Sequence, residues 1–335
     1  MDKPIPHSKT TLQYEDIHEI TKTVTSGYIA SGTKVSQFRN VFSKFIENES
    51  IHFYSSGSSA FYHLLLTLNL PKNSEVLIPT YICKSVKNAI EKANLKVILY
   101  DNALKSWISS VANITKKVTP IAKVLLINHT FGIRYKKETI IQLKSLGLVL
   151  IEDCAHLISN QPLDIEISSL CDASFYSFNA TKLLTTGEGG AVSFSNNSLF
   201  NDIEKYSLDS GFSDLNATLG ISQLKSYPEF LIKRQEIANL YNFEFTKIFK
   251  NFEVLDSIFF RYPIYVTNKK KFLDSPSVSF KEGVDNLLHP STQNIEYPHS
   301  CDMYNSTISI PIYPSLTQKE IEIIIKETER LYYAS

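Results

Sequence analysis

Residues 149–156 read Val-Leu-Ile-Glu-Asp-Cys-Ala-His; residues 177–182 read Ser-Phe-Asn-Ala-Thr-Lys, with Thr-Gly-Glu-Gly-Gly following at 186–190. The first stretch is a short apolar run that stops at two acids, as a buried strand does where its end meets a polar site. The second is a small polar loop that carries one lysine. Asp153 and Lys182 are 182 − 153 = 29 residues apart, room for one intervening stretch of chain and a return strand.

Outward from these segments, short apolar runs alternate with amphipathic stretches from about residue 50 to 195. Strands are expected at 52–54, 75–79, 97–100, 124–127, 148–152, 174–178 and 191–194. Helices are expected at 60–68, with apolar residues at 61, 64, 65 and 68, at 86–93, and at 138–146 with Gly147 as its stop. Strands that alternate with helices predict an α/β fold, a mixed and mostly parallel sheet between helices. Ligands then bind at the carboxyl ends of strands, where Ser56, Thr80, His129 and Asp153 fall. A long helix is expected at 214–249, then a smaller α+β domain with a strand at 259–266 and a terminal helix at 317–332. Thr317 and Glu320 have the spacing of a capping box. The expected division is a large domain over residues 1–225, including an N-terminal arm, and a small C-terminal domain over 226–335.

The composition is that of an ordinary globular chain. Of 335 residues, 43% are hydrophobic and 20% charged, enough for a sizeable core. Lys+Arg and Asp+Glu both number 34, so no charge excess points to nucleic acid or an anionic membrane surface. The four cysteines (Cys83, Cys154, Cys171 and Cys301) include no Cys-x-x-Cys pair, and those at 154 and 171 read as buried thiols, not as a disulfide or metal site. No apolar run reaches the length of a signal peptide or membrane span, so the expected location is the cytoplasm.

A strand-end acid and a lysine loop converging on one cleft meet the needs of pyridoxal 5'-phosphate (PLP). The acid keeps the pyridine nitrogen protonated and the lysine amine forms an imine. Residues 54–60, Tyr-Ser-Ser-Gly-Ser-Ser-Ala, follow a strand and open a helix, where small residues let backbone amides approach a phosphate. Each feature also has a plainer reading. Ser-Gly runs are common turns, Asp153 could cap a strand end, His156 could be a core histidine and Lys182 a surface lysine. Three ordered segments with matching chemistry outweigh the separate plain readings.

On these residues the chain resembles the DegT/DnrJ/StrS-type family of PLP-dependent aminotransferases, and the matching runs extend over nearly its whole length. Residues 26–32, Ser-Gly-Tyr-Ile-Ala-Ser-Gly, resemble the family's N-terminal Gly-aromatic-Ile-Ser-Ser-Gly segment. Residues 56–60 resemble its Ser-Gly-Thr-Ala-Ala phosphate turn, and 78–81 its Val-Pro-Ser-Phe run. Residues 129–132 resemble His-Leu-Tyr-Gly, 152–156 Glu-Asp-Ala-Ala-Gln/His, and 309–317 the run that ends Pro-x-Leu-Thr. The acid segment and the lysine segment are the specific pair; the glycine and serine runs are not.

The resemblance implies fold type I and a set of roles. Lys182 holds PLP as an imine and shuttles a proton, which requires a partly neutral amine. Asp153 pairs with the pyridine N–H. His156 lies near the ring or its phenolic oxygen, and Gly57, Ser58 and Ser177 bind the phosphate. Cys83 falls where the family places an aromatic over the ring. Tyr28, Ser31, His129 and Glu188 become candidates on the substrate side, Glu188 also as a support of the lysine loop. L-glutamate is the implied amino donor, and a nucleotide-linked keto sugar the acceptor, in the biosynthesis of cell-surface polysaccharide or related glycan precursors. A homodimer is implied as well. Because Lys182 is present, the sugar dehydratase branch, which has histidine there, is disfavoured.

Two further departures accompany Cys83. Asp209 stands where the family carries an amide and a cation for the phosphate, and the chain is short for the family. They keep two alternatives open: a PLP aminotransferase on a non-sugar ketone or aldehyde, and a non-catalytic scaffold of the same fold. His289, beside Pro290, reads as a structural histidine.

Overall fold

The computed structural model describes residues 3–200, 211–250 and 252–334. Its centre is a seven-stranded sheet in the order β1-β7-β6-β5-β4-β2-β3. The strands are β1 (Ile51–Tyr54), β2 (Glu75–Pro79), β3 (Lys96–Tyr100), β4 (Ala122–Asn128), β5 (Val149–Asp153), β6 (Ala173–Ser177) and β7 (Gly190–Phe194). Only β7 runs against the others, between β1 and β6.

Alternation along each strand divides its residues between two cores. Val76, Ile78, Val124, Leu126 and Ile151 face one cluster, together with helices α3 (Gly57–Thr67) and α4 (Lys84–Lys92). Leu77, Leu125, Ile127 and Leu150 face another, with α5 (Val111–Thr115), α6 (Lys137–Lys144) and α7 (Pro162–Leu170). Burial on both faces explains why these strands read as nearly continuous apolar runs.

Two helices near the N-terminus, α1 (Tyr14–Ser26) and α2 (Thr33–Phe45), were not among the expected elements. Both pack on α8 (Asp214–Ile248), and Phe38 and Phe42 of α2 join Phe53, Tyr176 and Phe178 in a third core cluster. The Asp214 carboxylate accepts from the N–H groups of Gly32 and Val35 at 2.8 and 3.0 Å, which caps the start of α2.

The expected boundary between 225 and 226 falls inside α8, just before Pro228. The far half of α8 carries Tyr241 and Phe245 into the core of a small sheet. That sheet has the order β8-β10-β9, from β8 (Tyr262–Tyr265), β9 (Lys281–Glu282) and β10 (Thr307–Ile310). Short helices α9 (Lys269–Leu273) and α10 (Pro298–Ser306) lie between its strands, and α11 (Gln318–Tyr333) ends the chain. Thr317 caps α11 with the expected box: Glu320 accepts from the Thr317 N–H at 2.8 Å. Ile5 bridges to Val278 and sits in this C-terminal core, so the start of the chain is bound to its end.

The strand expected over 259–266 is shorter than anticipated. Phe259 has φ +52°, and β8 begins only at Tyr262. The reason is tertiary: Arg234 Nη1 donates to the carbonyls of Phe259, Phe260 and Ile312 at 3.0, 3.2 and 2.9 Å. Carbonyls held by a buried guanidinium no longer serve a ladder.

Candidate active site

The carboxyl ends of β4, β5 and β6 open onto a cleft of about 740 Å³. Gly57, Ser58, Cys83, His129, Asp153, His156, Ser177 and Lys182 all line it. Eight of the sequence-predicted site residues thus meet in one place, from segments more than a hundred residues apart.

Asp153 is the last residue of β5, opposite Asn128 in register. Its Oδ1 accepts from the Ala155 N–H at 2.9 Å. Burial pushes its carboxyl up to about 6, against the pull of the Ala155 hydrogen bond and of Lys182. A cationic N–H brought to this oxygen pair would restore the carboxylate.

Alternation turns the neighbouring Glu152 to the other side of the strand. Its Oε1 accepts from His129 Nε2 at 2.8 Å, and its Oε2 from the hydroxyls of Ser168 and Ser174 at 2.7 Å each. Burial opposes its ionisation, but the three hydrogen bonds and the His129 field together hold it below the usual carboxylate range. This arrangement orients His129, whose Nδ1 has no partner within the chain.

Lys182 stands on a loop tied at several points. Its N–H donates to Asn179 O at 2.9 Å, and Asn179 Nδ2 donates to Glu188 Oε1 at 2.9 Å. Asn216, in the first turn of α8, donates to the carbonyls of Thr186 and Glu188. Glu188 therefore supports the loop and is exposed; it does not line the cleft. Burial pulls the Lys182 ammonium down to about 8; the Asp153 carboxylate opposes this and Arg261 adds to it.

His156 stacks on Phe260, ring centroids 4.1 Å apart, and the same Phe260 ring lies 5.0 Å from Lys182 Nζ. The Phe131 N–H donates to His156 Nδ1 at 3.3 Å. Nδ1 is thus an acceptor, and the ring proton resides on Nε2. Burial first, then the nearby Lys182 and Arg261 charges, keep this imidazole neutral.

At the other end, Ser56 caps α3 by accepting from the Ser59 N–H at 3.1 Å, which leaves the N–H groups of Gly57 and Ser58 at an open helix start. Gly57 packs so closely on Ser177 that a β-carbon there would lie 2.8 Å from Ser177 Cβ. Among the described residues the hydroxyls of Ser58 and Ser177 bond to nothing in the chain. A helix start, two free hydroxyls and a position kept clear of side chain form a cradle for a phosphate.

These residues fit PLP. A carboxyl in need of a cationic partner, a depressed lysine and a phosphate cradle share the cleft, with the imidazole Nε2–H of His156 as a further donor. Cys83 is exposed at the start of α4 and lines the wall where the resemblance implied an aromatic.

Tyr28 and Ser31 do not line the cleft of their own chain; Tyr28 is 81% exposed. Asp209 lies outside the described residues. His289 is held by Thr80 (Nδ1 to Oγ1, 2.6 Å) and Asn294 (Nε2 to Oδ1, 3.1 Å), as a structural histidine is. Sequence reasoning did not single out Asn128, Phe260 or Arg261. For Phe260 and Arg261 the one signal was a charged residue within an apolar stretch, Phe-Phe-Arg at 259–261. Among the described residues no helix is long and apolar enough to cross a membrane.

A family model described as the DegT/DnrJ/EryC1/StrS aminotransferase family matches residues 10–329. GDP-perosamine synthase of Escherichia coli O157:H7 is 24% identical over 98% of this chain and 99% of its own. The spore coat polysaccharide biosynthesis protein SpsC of Bacillus subtilis is 25% identical over 96% and 95%. Among solved structures, Helicobacter pylori PseC, an aminotransferase involved in the biosynthesis of pseudoaminic acid, superposes with TM-score 0.84 at 17% identity, covering 99% of this chain and 100% of that one. NtdA of Bacillus subtilis with bound cofactor PMP gives 0.85 at 21%, covering 97% and 86%.

Proposed function

Because this chain belongs to the DegT/DnrJ/EryC1/StrS aminotransferase family, and so is a PLP-dependent aminotransferase, we propose that it moves the amino group of L-glutamate to a nucleotide-linked keto sugar. The observation that carries the reading is the meeting of Lys182, Asp153 and the Gly57–Ser177 cradle in one cleft. The names of the relatives, a GDP-perosamine synthase and a polysaccharide biosynthesis protein, support a sugar acceptor over a non-sugar ketone. An intact lysine and acid argue against a scaffold without turnover.

When bound, PLP supplies the electron sink that lets a proton leave the donor's α-carbon. The chain's own residues do the rest. Gly57, Ser58 and Ser177 hold the phosphate. Asp153 accepts from the pyridine N–H and keeps it protonated. His156 offers Nε2–H to the phenolic oxygen. Lys182, whose amine is partly neutral near pH 8, would hold the cofactor's aldehyde carbon and, once the donor is bound, would take and return the proton at Nζ.

Tyr28 and Ser31 are exposed and off their own cleft, so on this reading they act in a homodimer, toward the acceptor bound by the other copy. The enzyme would work in the cytoplasm, where nucleotide-linked sugars are made.

The test is an absorbance spectrum of the PLP-loaded protein before and after L-glutamate, beside Lys182→Ala. A yellow band that bleaches in the wild type alone, and returns with a nucleotide-linked keto sugar, is expected. A wild type that binds PLP but is not bleached by L-glutamate sinks the proposal. Light scattering at the mass of one chain, with full activity, removes the dimer.

A further inference from the structure

Of the four cysteines, three are withdrawn from solvent and one is not. Cys154 and Cys171 are buried, and Cys301 is half-buried beside His289, its Sγ 3.5 Å from Nε2. Burial, and after it Asp101, pushes the Cys301 thiol up. Cys83 is exposed, lines the cleft and forms no disulfide. None of the roles above uses its sulfur.

Its surroundings favour both a thiolate and an anionic guest. Cys83 is the residue at the start of α4, where a helix carries partial positive charge, and its Sγ accepts from the Ser85 hydroxyl at 3.2 Å. Lys84, Lys87, Lys182 and Arg261 line the cleft, against Asp153 and Asp285. Burial pulls the Lys182 ammonium and the Arg261 guanidinium down, and a thiolate at Cys83 is among the charges that oppose it. A separate observation shows that the cleft is built for a ligand: His129, 1% exposed, lines it with an Nδ1 that has no partner in the chain. At about 740 Å³ the cleft takes a guest of tripeptide size. Asp153, Lys182 and the phosphate cradle line the same space, so a group bonded to Cys83 Sγ competes with the cofactor for it.

We propose that Cys83 is a modification site for small anionic disulfides, and that its mixed disulfide and the cofactor exclude each other. The second half rests on the PLP reading of this cleft. In the step, the Cys83 thiolate attacks one sulfur of the incoming disulfide. The Sγ–S bond forms, the old S–S bond breaks, and the far half leaves as a thiolate with the electron pair of that bond. Cys83 is oxidised and the leaving half is reduced, so the incoming disulfide is the only oxidant. A free thiol reverses the exchange. The loaded enzyme is shielded, and the apoprotein is held in a form that a reductant restores.

The full-length apoprotein is treated with glutathione disulfide, which is anionic, and in parallel with cystamine, which is cationic. Peptide mass spectrometry follows Cys83 beside Cys301. Cys83 is expected to react about 10-fold faster than Cys301 with glutathione disulfide. Measured against Cys301, its preference for the anionic over the cationic disulfide is expected to be about 10-fold at low salt and to fade at high salt. PLP at about ten times its dissociation constant should slow Cys83 about 10-fold and leave Cys301 unchanged. The modified protein should bind PLP at least about 10-fold more weakly by fluorescence titration, and dithiothreitol should restore it. Cys83→Ser is expected to bind PLP equally before and after treatment. If that variant does not fold, the wild-type peptide map and the reversal by dithiothreitol decide. Cys301 reacting first, no preference for the anionic disulfide, or full PLP affinity in the modified protein each overturns the proposal. An untreated wild type that binds no PLP sinks the parent reading instead, and the labelling rates still judge Cys83.

Discussion

Gly57 and Ser177 meet back to back, so close that a β-carbon on the glycine would lie 2.8 Å from Ser177 Cβ. The start of α3 is thereby locked to the end of β6, and the contact brings backbone amides and a serine hydroxyl to one spot. Gly190 completes the junction, since its own β-carbon would come within 2.5 Å of Gly57 N. Gly57→Ala must push these elements apart. We expect a loss of about 1–3 kcal/mol in stability and an affinity for PLP at least about 10-fold weaker. Fluorescence titration with PLP checks this; wild-type affinity would remove the cradle.

The Lys182 ammonium is pulled down to about 8 by burial. In the apoprotein an amine-selective acylating reagent should therefore modify Lys182 with a midpoint near pH 8. Asp153 opposes the shift, so Asp153→Asn should move the midpoint lower. A midpoint near the ordinary lysine value of 10.5 would contradict the buried environment.

The same two groups shape apoprotein stability. The Asp153 carboxyl is raised from 3.8 to about 6, so its contribution is present below 3.8 and is lost as pH rises through about 6. Lys182 is depressed from 10.5 to about 8, so its contribution is present above 10.5 and is lost as pH falls through about 8. Between about 6 and 8 both groups are charged in a site that disfavours charge. Lys182→Met apoprotein should gain about 1–3 kcal/mol at pH 7, and much less at pH 10.5. Urea unfolding at the two values measures it, and a less stable variant at pH 7 would refute the reading.

Glu152 anchors the layer beneath the cleft by accepting from His129, Ser168 and Ser174. Glu152→Ala leaves an imidazole and two hydroxyls without their acceptor, at a cost of about 3–5 kcal/mol. The Glu152 carboxyl is held below 4.5, so its stabilisation is present above that value and is lost as pH falls through the lower folded value. Acid unfolding should therefore begin at higher pH in Glu152→Gln than in the wild type. Coincident acid transitions would show that Glu152 contributes nothing.

Arg234 is a positioning residue. It fixes the Phe259–Phe260 turn by three carbonyl contacts, and Phe260 in turn stacks on His156. Arg234→Met should destabilise the chain by about 2–4 kcal/mol and lower kcat without changing which amines react. An unchanged rate of bleaching by L-glutamate in the folded variant would separate the turn from the chemistry.

Local sequence carried most of the site because its elements are local. The run at 149–156 is both a strand and its acid, and the run at 177–182 is both a strand end and its lysine. The strands of the large sheet were legible for the same reason, as buried β residues leave short apolar runs. Helices α1 and α2 were not anticipated, although Val35, Phe38 and Phe42 mark the buried face of the second. The small sheet was poorly legible because β9 spans only two residues, too few to show a period.

By itself the sequence determined the α/β alternation, the acid, the lysine and the small residues of the phosphate turn, because each is written within a few positions. Only the tertiary structure decided that Arg261 and Phe260 join them, that Glu188 braces the loop and leaves the cleft, and that Tyr28 and Ser31 stay outside. Those outcomes depend on contacts between distant segments: Arg234 delays the start of β8 by taking the carbonyls of Phe259 and Phe260, and the turn so formed delivers a ring and a guanidinium to the lysine. No local pattern encodes such a contact, since its energy arises only when both partners are buried together.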